Sequence, residues 1–196
     1  MTFGKKSKTM VCGIDYGSKM AGTTSVCYIK EGVVKIERST KKQDADAMIL
    51  AFCQREQPEL IALDAPLSLP GVYSAKDGFQ DYFYRVCDKE LKAMSPMFLG
   101  GLTARAMKLK AMLSEIKIIE AYPVFRAKAL ELHKFGYRGK TPDIKAILNK
   151  LGGVFATAEI LSSHDMDALL CLEIGQRFLQ KKTQRSGLVE EGVIYY

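Results

Sequence analysis

The chain has 196 residues, 47% hydrophobic and 26% charged, which suits one globular domain with a full core. Its formal net charge of +7 favours polyanionic partners, nucleic acid first. Five scattered cysteines without a C-x-x-C pair argue against a disulfide framework, and the only histidines, His133 and His164, adjoin no cysteine, so zinc is not expected. No apolar run approaches the ~20 residues of a membrane span. The basic start (Lys5, Lys6, Lys8) leads into a short stretch interrupted by Asp15, which is no signal peptide, so the expected location is cytoplasmic.

Residues 9–15 predict a first strand, followed by a glycine-containing turn at 16–22. A second strand over 23–30, a tight Glu31-Gly32 turn and a third strand over 33–39 make an antiparallel meander. Ala45, Met48, Ile49, Phe52 and Cys53 give the apolar stripe of a helix over 44–56, ended by Pro58. Residues 60–63 form the short continuous apolar run of a central strand covered on both faces. A long insert at about 66–114 carries helices expected at 78–94 and 102–114. A fifth strand is expected at 117–122, helices at 124–134, 142–151 and 164–182, and a short terminal strand at 192–196. This order implies a mixed α/β fold in three layers, a single domain over 1–196.

Three acids stand at element ends. Asp15 closes the first strand, Asp64 closes the fourth, and Asp167 opens the last helix. Carboxylates are rare at the ends of buried strands unless they are paired or bind metal. Asp167 heads the stripe Leu170, Cys171, Ile174, Gly175 and Phe178, the face turned to the sheet. Asp165 lies two residues earlier on another face; it is a candidate metal ligand, and an N-cap or helix-dipole role fits it equally. Taken singly, Asp15 before Tyr16-Gly17 and Asp64 before Ala65-Pro66 also suit turns. If the first and fourth strands are parallel neighbours, both aspartates emerge at the carboxyl edge, where open α/β sheets place their sites. Glu120, ending the fifth strand, is a fourth candidate catalytic acid, with a structural charge as the alternative. Converging carboxylates need cations between them. Ligands that are all oxygen suit Mg²⁺ or Mn²⁺, and two such ions ~3.5–4 Å apart support phosphodiester hydrolysis.

Substrate contacts have weaker signals. Lys19 beside Asp15, and Arg85 with Asp88 in the insert, are candidates, Arg85 for a phosphate. A surface i, i+3 ion pair is the plain alternative for Arg85 and Asp88. Tyr82, Phe83 and Tyr84 could stack on bases, and Arg105, Lys108, Lys110, Lys181, Lys182 and Arg185 could track a backbone if they border the acids. Nucleic acid, DNA or RNA undecided, is the expected partner, and a homodimer is a candidate assembly.

The segments Gly13-Ile-Asp-Tyr-Gly17, Ile61-Ala-Leu-Asp-Ala-Pro-Leu67, Arg85-Val-Cys-Asp88, Ile119-Glu-Ala-Tyr-Pro123, His164-Asp-Met-Asp-Ala-Leu-Leu-Cys171 and Glu191-Gly-Val-Ile194 occur in this order over nearly the whole chain. Together they resemble a family of predicted RNase H-fold nucleases (domain of unknown function 429). The resemblance implies a ribonuclease H-like sheet of five strands in the order 3-2-1-4-5, helices on both faces and a helical insert after the fourth strand. It implies Asp15, Asp64 and Asp167 as metal acids, and a divalent-metal-dependent nuclease acting on structured or junction-containing nucleic acid. One departure stands out: superfamily relatives often pair two acids three apart on the last helix, whereas His164 stands three before Asp167 here. Two other readings remain. Asp15-Tyr-Gly-Ser18 resembles the phosphate-binding hairpin of actin- and hexokinase-like proteins, an ATPase or sugar-kinase reading, although those proteins need two such domains. The third is a catalytically inactive binding module.

Overall fold

In chain order the elements are β1 (Val11–Asp15), β2 (Ser25–Lys30), β3 (Val33–Arg38), α1 (Ala45–Glu56) and β4 (Leu60–Asp64). The insert holds α2 (Val86–Leu91), α3 (Pro96–Leu99) and α4 (Gly101–Met112). Then come β5 (Lys117–Ala121), α5 (Pro123–Ala129), α6 (Ile144–Leu151), α7 (Ser163–Leu179), β6 (Arg185–Leu188) and β7 (Gly192–Tyr195). These assignments come from a computed structural model that describes residues 9–74 and 77–196.

The strands form one mixed sheet in the order β3-β2-β1-β4-β5-β7-β6. β1, β4, β5 and β7 run parallel as successive neighbours, while β2, β3 and β6 are antiparallel to theirs. The expected count of five is corrected to seven. The terminal strand β7 joins β5, and β6, which sequence reading missed, pairs with β7 as a hairpin at the sheet edge. β6 reads Arg-Ser-Gly-Leu, with no alternation of apolar residues; backbone pairing with β7 and the close approach of Gly187 to Cys87 of α2 hold it.

The insert also differs from expectation. The helix foreseen over 78–94 is cut to α2, because the Asp81 carboxylate accepts from the amides of Phe83 and Tyr84 and turns the chain before a helix can start.

Strand alternation sorts the core into two layers. Cys12, Ile14, Ile61 and Leu63 pack against Ile49 and Phe52 of α1 and Ala106 and Leu109 of α4. Val11, Leu60, Ala62 and Ile119 pack on the other side against α7, with α5 and α6 beyond it. Helix α7 lies almost on the strand backbone. A Cβ at Gly13 would sit 2.0 Å from the Leu172 amide nitrogen and 2.3 Å from the Ala168 carbonyl oxygen. Only a residue without a side chain allows this approach, and the approach fixes how near the start of α7 comes to the end of β1. Gly13→Ala should therefore cost about 3 kcal/mol, the upper part of the usual overpacking range. A lowered urea midpoint with unchanged slope would register it; an unchanged midpoint would mean that the helix is free to move away.

Candidate metal centre

Asp15 and Asp64 are register partners on the parallel pair β1 and β4, at the carboxyl ends of both strands. Their positions share the parity of Val11 and Gly13, and of Leu60 and Ala62, so both turn towards α7. Asp167 enters from the first turns of α7. One oxygen from each of Asp15, Asp64 and Asp167 lies within 4.8 Å of the others, a set that could hold a metal ion.

The three carboxylates differ in their protein partners. Asp15 Oδ2 is 2.7 Å from Nδ1 of His164. Asp167 accepts from the Tyr137 hydroxyl at 2.5 Å and from Nη2 of Arg138 at 2.6 Å. Asp64 receives no hydrogen bond or ion pair among the described residues, although it stands at the end of a buried strand. Burial first, and Asp167 second, push the Asp15 carboxyl up to about 6, against the opposing pull of His164 and Arg138. Burial, then Asp15 and Asp167, hold Asp64 well above the usual carboxylate range. A half-buried carboxylate with no protein donor, beside two others, is a donor set that could take up a cation.

Asp165 does not join them. Being two residues from Asp167, it points about 200° away around the helix. Its fully buried carboxylate accepts from Ser25 Oγ at 2.8 Å, from Nε of Arg38 at 3.0 Å and from the amides of Leu161 and Ser162. It also completes a capping box with Ser162 at the start of α7. The metal-ligand expectation for Asp165 is thus corrected in favour of its capping role.

Glu120 is excluded from the same ion by parity: it pairs in register with Leu63 and faces the opposite side of the sheet. There it makes a two-pronged ion pair with Arg85, with both contacts at 2.7 Å, and accepts from the Leu67 amide. Arg85 is fully buried, and Nε and Nη2 also reach Asp88, while Nη1 donates to Ser68. Arg85 and Asp88 are therefore neither a surface pair nor free substrate contacts; they tie the insert to β5. Glu120→Gln should cost about 3 kcal/mol by leaving part of a buried guanidinium uncompensated. It should leave metal affinity unchanged when calorimetric titration is compared with the parent, and a large loss of affinity would return Glu120 to the centre. Lys19 leads away as well, pairing with Asp44 at 3.1 Å near the start of α1.

The turn after β1 is not an open phosphate cradle. The amides of Gly17 and Ser18 donate to the hydroxyls of Thr24 and Thr23. Above Asp15 and Asp64 lies a cleft of about 510 Å³, walled by Lys92, Met94, Leu99, Tyr122 and Arg138 among others. Sequence reading gave no site role to three residues at the centre: His164, which it noted only as a departure from the paired acids, and Tyr137 and Arg138. His164 had a signal, since it stands three residues before Asp167 on one helical face. Tyr137 and Arg138 had none beyond lying in a polar turn, and Arg138 adopts the left-handed backbone (φ 60°) that aims it at Asp167.

Fold and centre together define a mixed α/β protein with an acidic triad at the carboxyl edge of its parallel strands. No helix among the described residues is long and apolar enough to cross a membrane. No family model and no curated protein matches the chain.

Proposed function

We propose that this chain is a divalent-metal-dependent nuclease of ribonuclease H-like fold, related to the RNase H-fold nuclease family that its motifs resemble. The observation that carries the reading is the convergence of Asp15, Asp64 and Asp167, with Asp64 lacking any protein donor among the described residues. The run β3-β2-β1-β4-β5 within the sheet supports the fold assignment. The donor set is all oxygen, which fits Mg²⁺ or Mn²⁺. A cation there would supply positive charge for phosphodiester hydrolysis. The chain's own part is to fix the acids: β1 and β4 hold two in register, α7 brings the third, and His164, Tyr137 and Arg138 orient Asp15 and Asp167. Arg138, with a side chain 49% exposed at the cleft, is placed to meet a phosphate oxygen as well. The net charge of +7 supports nucleic acid as substrate.

The test is cleavage of labelled single-stranded, duplex and junction-containing DNA and RNA with Mg²⁺, Mn²⁺ or EDTA. Products that need the metal and disappear in Asp15→Asn support the proposal. Equal cleavage by parent and variant removes it, and no cleavage of any substrate leaves the binding-module reading in its place.

A further inference from the structure

The exposed aromatic side chains of the described residues, Tyr73, Tyr82, Phe83 and Phe98, all lie in the insert between β4 and β5. Phe83 and Phe98 are 53% and 64% exposed, yet their rings sit 5.7 Å apart and 31° from parallel. Tyr84 meets Phe98 edge-on at 5.8 Å. The backbones beneath these rings are tied down. Asp81 fixes the amides of Phe83 and Tyr84 at 2.8 Å each. Buried Ser95 donates to the Phe83 carbonyl and accepts from the amides of Met97 and Phe98, joining the two stretches of chain. Rings left in water but held in place present flat apolar faces at little ordering cost on binding.

The stretch of chain that carries Phe98 also borders the cleft. Met94, 62% exposed, lines the cleft wall together with Lys92 and Leu99, the residue after Phe98. Lys92 is exposed and makes no ion pair among the described residues, and Arg138 adds a second cation to the same cleft. An aromatic shelf at the border of a cleft that holds cations and a carboxylate centre has the layout of a path for a single nucleic-acid strand. Bases offer π faces to the shelf, and phosphates meet the cations. A protein partner, or a second copy, would match the apolar shelf but gives no reason for its place at the border of the cleft.

Resting on the nuclease reading of the acidic triad, we propose that Phe83, Phe98 and Met94 bind unpaired bases of a single-stranded segment, with Lys92 at its backbone. The strand is thereby led towards Asp15 and Asp64. Paired bases are already stacked and cannot lie on the shelf, so the preferred substrate contains an unpaired stretch.

Fluorescence anisotropy of a short labelled oligonucleotide in EDTA tests this without cleavage. The single strand should bind roughly tenfold more tightly than its blunt duplex, and Phe83→Ala and Phe98→Ala should each weaken strand binding by roughly tenfold. Phe98→Tyr should keep the parent's affinity, and an abasic strand of equal length should bind the parent as weakly as the alanine variants bind the normal one. Both positions are exposed, and unchanged melting temperatures would confirm that the variants fold. Equal binding by parent and alanine variants, or duplex binding as tight as strand binding, overturns the proposal. So does the absence of oligonucleotide binding together with self-association that Phe98→Ala abolishes. Because no metal is present, failure of metal-dependent cleavage and failure of the shelf are read separately.

Discussion

Asp64→Asn should abolish Mn²⁺-dependent cleavage while making the metal-free chain more stable. The two effects have one cause. Asp64 is held well above the usual carboxylate range by burial and by Asp15 and Asp167, and no described residue donates to it. Without a cation its charge is a burden on the fold; with one it is a ligand. Asparagine removes the burden and the ligand together. Loss of one anionic ligand should remove several kcal/mol of charge stabilisation in the reaction, on the order of a thousandfold in rate. Removing the repulsion should stabilise the metal-free fold by about 1–3 kcal/mol, with each kcal/mol raising the melting temperature by about 2–4 °C at this length. Cleavage assays and thermal melts of one preparation check both. Undiminished cleavage would take Asp64 out of the reaction, and a lower melting temperature would make it a structural partner.

Mn²⁺ should raise the melting temperature of the parent, and by more above pH 6 than below it. Burial and Asp167 raise the Asp15 carboxyl from 3.8 to about 6 in the folded chain. Between those values the folded state holds a proton that the unfolded state has released. This contribution to metal-free stability is full below the lower value and is lost as pH rises through about 6. The metal needs the same oxygen without its proton, so its affinity moves the opposite way. Below pH 6 each displaced proton should weaken binding by roughly tenfold per pH unit. Metal at a thousandfold excess over Kd should add roughly 4 kcal/mol, hence roughly 8–16 °C. Asp15→Asn should remove the part of the pH dependence that Asp15 sets and leave the part due to Asp64, which is also held above the usual carboxylate range. A metal-induced shift of the same size at all pH values would place the ion elsewhere.

Much of the centre was legible because regular elements have fixed periods. The apolar runs at 11–14 and 60–63 each end in an aspartate, and two buried parallel strands with acids at the same end must bring those acids side by side. The helical stripe from Asp167 through Gly175 had only one surface to face, and Gly175 packs on Val11 and Ala62 as that stripe requires. Parity also held information that went unread. In β5, Ile119 and Ala121 share the α7 face, so Glu120 between them had to point away from Asp15 and Asp64.

Partners that meet through long sequence separations were a different matter. Arg38 with Asp165, Arg85 with Glu120, and Arg138 with Asp167 join segments 127, 35 and 29 residues apart. Each could have been a surface charge on local grounds. β6 was invisible for a related reason, since its hydrogen bonds come from β7 and not from its own pattern. By itself the sequence determined which faces of β1, β4 and α7 carry acids, because strand and helix periods are properties of the local backbone. Only the tertiary structure decided which acids are paired with arginines and which has no protein partner among the described residues, because a charge takes its partner from whatever the folded chain brings within hydrogen-bonding reach.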